Sequence, residues 1–155
     1  MHPNCSKCNS RCCQYYCFQI DAPESYDDYE NIRWYLCHEG TSVHIDHDDD
    51  WCILIENRCK MLEQTPEGER CRIYDNRPLV CRRFSPHTCE IALGGHDFKQ
   101  LFETPEQIEA YARQALGEEE FLRARAEGRA RAQSDCDNPH AQEPEIRGEI
   151  EIEEA

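Results

Sequence analysis

The sequence predicts an α+β fold, and three observations carry that reading. Thr41 to Asp46 and Trp51 to Glu56 alternate in hydropathy around His47-Asp-Asp-Asp50, the period-two signature of a β-hairpin. Two segments begin with capping boxes, Ser25-Tyr-Asp-Asp28 and Thr104-Pro-Glu-Gln107, and continue with apolar residues at helical spacing. Leu, Ile, Val and Phe together number only 26 of 155 residues, while cysteine numbers 12. A chain so poor in aliphatic residues needs another source of folding free energy. Bonds from thiolates to metal can supply on the order of 10 kcal/mol per structural site. The expected architecture is a small cysteine-rich, metal-stabilised domain with a short hairpin, several helices and a C-terminal helical extension.

Compartment and charge narrow the chemistry. Met1 to Asn9 contains no apolar run of the secretory kind, and no stretch approaches the ~20 apolar residues of a membrane span. The expectation is a cytoplasmic chain whose thiols stay reduced, so that short cysteine spacings mean metal ligands or redox groups rather than disulfides. The net charge is −15, from 17 basic and 32 acidic groups. On average the chain offers no basic face to meet phosphates, which disfavours nucleic acid and anionic membrane surfaces as partners.

The elements follow in order. Cys5-x2-Cys8-x3-Cys12-Cys13 opens the chain, with Cys17 behind it. A CxxC pair brings two sulfurs to one ion across a tight turn. Adjacent side chains diverge, so Cys12 and Cys13 point to two sites or a polynuclear one, unless one of them is a small buried apolar residue. Phe18 to Pro23 is a connector or short strand. Tyr29, Ile32, Tyr35 and Leu36 form one helical stripe, with Gly40 as the residue that ends it. In the hairpin, Trp51, Ile53 and Ile55 share one face, and Cys52 and Leu54 the other. His44 and His47, with Asp46 and Asp48 to Asp50, offer donors for a hard cation, but no ligand-loop spacing is present and a solvated turn is expected.

The second cysteine group has irregular gaps, Cys59-x11-Cys71-x9-Cys81-x7-Cys89, unlike a ferredoxin run. Thr65-Pro-Glu-Gly68 is turn-like. Cys71 is expected to begin a strand through Ile73 and Tyr74. A short helix with Pro78 in its first turn, capped by Asp75 or Asn76, would then carry Cys81. Composition shifts after Gly94-Gly95. Ile108, Tyr111, Ala112, Ala115 and Leu116 mark a helix ending at Gly117. A polar helix from Glu118 to about Gln133 is expected to dock weakly. Residues 134–155 hold eight acids against Arg147 alone, with Pro139 and Pro144; they are expected to form a disordered acidic tail, with Cys136 not a ligand. The organisation is thus a cysteine-cluster domain at 1–100, C-terminal helices at 101–133 packed on it, and the tail at 134–155.

With these pieces assembled, the chain resembles the YkgJ-like cysteine-cluster family, the CxxCxxCC-type domains named for zinc or iron chelation. CSKCNSRCC, IRWYLCHEG, DDDWCILIENRCKML, CRIYDNRPLVCRRFSPHTCE and FETPEQIEAY carry the resemblance, over about residues 5 to 111. It implies that Cys5, Cys8, Cys12, Cys13, Cys59, Cys71, Cys81 and Cys89 are the metal ligands. Cys17, Cys37, Cys52 and Cys136 fall outside the pattern, as members of an extra site or as buried thiols.

Three functions follow. Eight cysteines are the complement of two four-iron clusters, with Arg82 and Arg83 placed either to hydrogen-bond cluster sulfurs or to pair with surface acids. The acidic surface would suit a basic redox partner. Alternatively, two closed four-cysteine zinc sites would make a structural or protein-interaction module, or a metal storage and delivery factor. An enzyme is the third reading and the weakest. No Gly-rich phosphate loop, GxSxG or HExxH is present. A nucleophile pair such as Cys37 with His38 is a candidate, although sequence neighbours usually face apart. Asp21 or Glu24 with His38 could line a pocket but are expected to be surface groups. Iron–sulfur is preferred slightly over zinc.

Overall fold

The computed structural model describes residues 10–83 and 98–137. Within them a four-stranded antiparallel sheet runs in the order β1-β3-β2-β6. Its strands are β1 (Tyr15–Ile20), β2 (Thr41–Ile45), β3 (Trp51–Glu56) and β6 (Gln100–Phe102). A separate hairpin pairs β4 (Leu62–Thr65) with β5 (Gly68–Cys71). The helices are α1 (Tyr26–Tyr35), the short α2 (Leu79–Arg83), α3 (Pro105–Leu116) and α4 (Glu118–Asp137). This is the α+β class the sequence predicts.

Strand alternation sorts the sheet into two unlike faces. Val43, Ile45, Trp51, Ile53 and Phe102 are buried on one face, in a single cluster with Tyr29, Ile32, Leu36, Ile108, Ala112 and Phe121 from the helical side. Trp51 and Phe102 stack at 5.6 Å, and Tyr111 meets both rings edge-on at 5.7 and 5.2 Å. Aromatic area therefore stands in for the missing aliphatic residues. The opposite face carries Cys17, Cys52, Leu54 and His44, set by the register Cys17↔Leu54 and His44↔Cys52.

Both capping boxes form. Ser25 Oγ accepts from the Asp28 amide while the Asp28 carboxylate accepts from the Ser25 amide at 2.9 Å; Thr104 and Gln107 repeat the exchange. Those Ser25 bonds hold the Asp28 carboxyl below its usual range. Gly40 has a different job from the one expected. Leu36 caps α1, and Gly40, at φ 72°, stands where a Cβ would meet the Glu56 carbonyl oxygen at 3.2 Å. It is a close-approach residue at the entry to β2.

Other expectations shift. The connector or short strand at Phe18 to Pro23 is strand only through Ile20, and β1 starts earlier, at Tyr15, and takes in Cys17. Cys71 ends a strand instead of beginning one, and a one-turn 3-10 helix at Tyr74–Asn76 follows. A three-residue strand, β6, lies across the boundary placed at residue 100, and its Phe102 belongs to the same core as Trp51. Helix α4 runs to Asp137, so Cys136 sits exposed on a helix. The expectations for Cys5, Cys8, Ser85 to Cys89, Gly94-Gly95 and residues 138–155 lie outside the described residues.

Candidate metal centre

Cysteines from two distant segments meet at one end of the domain. A one-turn 3-10 helix at Arg11–Cys13 presents Cys12 and Cys13 just before β1. The loop after β3 brings Cys59 alongside, its amide donating to the Cys13 carbonyl at 2.7 Å. Leu62 donates in turn to the Cys59 carbonyl at 3.1 Å, and Leu62 pairs with Cys71 across the β4–β5 hairpin. Glu69 on β5 ties the segments again, accepting from Gln14 at 3.2 Å and from Arg58 at 2.8 Å.

The Cys13 thiol registers the crowding. A hydrogen bond with Cys12 comes first, then burial, then the charges of Cys12, Cys59 and Cys71, and all push its pKa far above the usual thiol range. The contact between Cys12 and Cys13 departs from the expectation that neighbouring side chains diverge. The 3-10 turn, with Ser10 before it in the left-handed region at φ 59°, lets both sulfurs approach. Cys12, Cys59 and Cys71 all act on Cys13, and a soft metal entering among these sulfurs would displace their protons. The donor set therefore fits zinc or an iron–sulfur cluster.

Of the eight sequence-predicted ligands, Cys12, Cys13, Cys59 and Cys71 gather here. Cys81 stands exposed on α2 and is not among the groups acting on Cys13. Cys5, Cys8 and Cys89 lie outside the described residues. Arg82, a candidate partner for cluster sulfurs or for surface acids, instead donates to the backbone carbonyls of Arg77, at 3.0 Å, and Asp75. Its role is to close the turn that starts α2.

The same accounting applies to the other candidates. His38 Nδ1 lies 2.9 Å from the Trp34 carbonyl and 3.3 Å from that of Tyr35, and Cys37 donates to the Arg33 carbonyl at 3.4 Å. Both side chains close the end of α1, which leaves no nucleophile–base pair between them. One Asp46 carboxylate oxygen accepts from the amides of Asp48 and Asp50 at 2.9 and 3.0 Å, so the acidic turn is built on its own backbone. Its histidine neighbour, His44, points elsewhere. His44 is 6 % exposed, stacks on Phe98 at 4.0 Å, and has Cys17 and Cys52 beside it. Burial first, then Cys52, pushes the Cys17 thiol up to about 11.

That trio was missed in the sequence, although the signal was present. The sequence puts Cys52 opposite the apolar face, but it gives Cys17 no strand and groups His44 with the acidic turn. Once β1 pairs with β3, alternation puts all three on one face.

A family model described as "CxxCxxCC: Putative zinc- or iron-chelating domain" matches residues 4–108. The chain belongs to the CxxCxxCC family. It is accordingly a metal-binding protein of the zinc- or iron-chelating kind. No curated protein and no solved structure matches it. The four gathered cysteines all lie within the CxxCxxCC match, and α4 lies wholly beyond it. Among the described residues no helix is long and apolar enough to cross a membrane.

Proposed function

We propose that this CxxCxxCC protein binds iron–sulfur at the Cys12, Cys13, Cys59 and Cys71 thiols, with Cys5, Cys8, Cys81 and Cys89 completing an eight-cysteine ligand set, and that it passes electrons to a protein partner. The observation that carries this is the convergence of four sulfurs from the 3-10 turn, the Cys59 loop and β5. Adjacent residues both contributing sulfur suit a polynuclear centre, which offers several metal atoms to neighbouring donors. Cys12 and Cys59 are exposed, so the centre lies at the surface, where electron exchange with a partner is short-range. A net charge of −15 favours a partner with a basic face. The thiol-rich composition suits a reducing compartment such as the cytoplasm.

One observation favours a second reading. The Cys12–Cys13 hydrogen bond keeps two sulfurs close, and two thiolates on one tetrahedral zinc stand only about 3.8 Å apart. A closed zinc site would make the protein a structural or protein-interaction module, or a metal storage and delivery factor. Anaerobic purification followed by iron, zinc and acid-labile sulfide analysis separates the two. Iron with matching sulfide and a brown colour that bleaches on reduction is expected. Zinc without visible absorption selects the second reading, and protein that takes up neither iron nor zinc on reconstitution overturns both.

A further inference from the structure

We infer that Cys17, His44 and Cys52 form a second metal site, separate from the eight-cysteine set, for one divalent ion of the zinc type with a coordination position left open. One ligand atom from each of the three lies within 4.8 Å of the others. Tetrahedral zinc, with bonds of about 2.3 Å to sulfur and 2.0 Å to nitrogen, holds such donors about 3.4–3.8 Å apart. An adjustment of about 1 Å in side-chain torsions therefore closes the site around an ion.

The scaffold is what distinguishes this trio from a chance surface cluster. The donors come from three neighbouring strands, β1, β3 and β2, not from loops. His44 faces Cys52 directly across the β2–β3 ladder, and Cys17 sits diagonally from Cys52 because it pairs with Leu54. Phe98, stacked on the imidazole at an interplanar angle of 26°, fixes the plane of the ring. The charges of Asp46 and Asp50 reach Cys52 and add to a potential that draws in a cation.

Donor chemistry then selects the ion. Two thiolates and an imidazole are poor ligands for calcium or magnesium, which demand oxygen, and good ligands for zinc and its neighbours. The protein supplies three ligands, and the fourth position falls to water or another small donor. His44 is buried while Cys17, on an edge strand, is exposed, so an ion has a way in along β1. Three protein ligands plus an open position is the pattern of zinc sites that do chemistry, in contrast to the closed four-cysteine type.

The test counts ions per chain by native mass spectrometry on full-length protein grown with added zinc and kept reduced. Wild type is compared with Cys17→Ser, Cys17→Ser/Cys52→Ser, His44→Gln and, as a control, Cys136→Ser. The first three variants are expected to hold one divalent ion fewer than wild type and Cys136→Ser, with every other ion retained. Replacing zinc with Co2+ should give wild type more thiolate-to-metal absorption than the double variant shows. Cys17 is exposed on an edge strand, so its serine variant keeps the readout available even where His44→Gln folds poorly. Equal ion counts in wild type and both cysteine variants overturn the site. So does a Cys17–Cys52 disulfide that persists in the presence of reductant.

Discussion

A serine at Cys13 or Cys59 keeps the side chain's shape and removes its soft donor. Oxygen is a poor substitute among three remaining sulfurs, so each variant is expected to lose most of the metal held there, by elemental analysis under reducing conditions. Cys136→Ser, exposed on α4, is expected to keep full metal content and to change stability by no more than about 0.5 kcal/mol. Equal metal loss in all three variants would remove the distinction between ligand and passenger. Gly40 offers a residue-scale test of the backbone instead. Its φ of 72° and the Glu56 carbonyl 3.2 Å from a would-be Cβ both penalise a side chain. Gly40→Ala should therefore cost about 1–2 kcal/mol in a denaturant titration, and a neutral result would mean the β2 entry relaxes freely.

At the scale of elements, α4 shows how a polar helix docks through one anchor. Phe121 is 1 % exposed, with the Tyr26 ring edge-on at 5.2 Å and the Arg113 guanidinium 4.4 Å over its face. The ion pair between Arg131 and Asp27 is exposed and contributes about 0–1 kcal/mol, whereas removing a buried Phe costs about 3–5 kcal/mol. Phe121→Ala should therefore release α4, seen as a lower melting temperature and lost helical circular dichroism, while Arg131→Ala leaves both nearly unchanged. Glu109 on α3 joins three helices, facing Arg113 at 3.0 Å, Arg125 at 3.0 Å and Arg33 at 3.7 Å. The Arg113 hydrogen bond first, and the other arginines with it, hold the Glu109 carboxyl below its usual range. The resulting stabilisation is present above the ordinary carboxyl pKa and is lost as pH falls through the lowered one. Glu109→Gln should thus cost about 1 kcal/mol near neutrality, with the deficit disappearing in acid; a deficit independent of pH would assign the effect to packing. The helices and the first hairpin were legible in the sequence because caps and periodicity are local. The first half of β1, Tyr15 to Cys17, was not, since its Tyr-Tyr-Cys-Phe run lacks alternation and takes its identity from pairing with β3. Strand β6 is three residues long and equally dependent on its neighbour. The gathering of Cys12, Cys13, Cys59 and Cys71 was legible only as a list of residues. Its geometry depends on the Cys59–Cys13 backbone bond and the β4–β5 register, which no spacing encodes.

For the whole molecule, composition alone implied that folding as such depends on metal. The structure separates the aromatic core from the end where Cys12, Cys13, Cys59 and Cys71 lie. Among the described residues the buried cluster of Trp51, Phe102, Ile108, Phe121 and their neighbours contains no cysteine, and Cys12, Cys13 and Cys59 flank the Tyr15–Glu56 end of β1 and β3. There, the 3-10 turn at Arg11–Cys13 and the β4–β5 hairpin are joined by a single backbone bond, the Glu69 bridge and whatever the four sulfurs hold. Leu62 is the one buried apolar residue on that hairpin, and an isolated two-stranded hairpin is marginal in water. On the proposed reading, stripping metal would remove the strongest tie at this end. The sheet and helices keep their aromatic core. Hydrogen exchange with and without a strong chelator should therefore show a large rise in residues 10–14 and 57–83, while β2, β3, α1 and α3 stay protected. Acidification should act at the same end first, because protons compete with metal for thiolates. A uniform loss of protection across both halves would mean that the aromatic core cannot stand alone and that metal folds the entire domain.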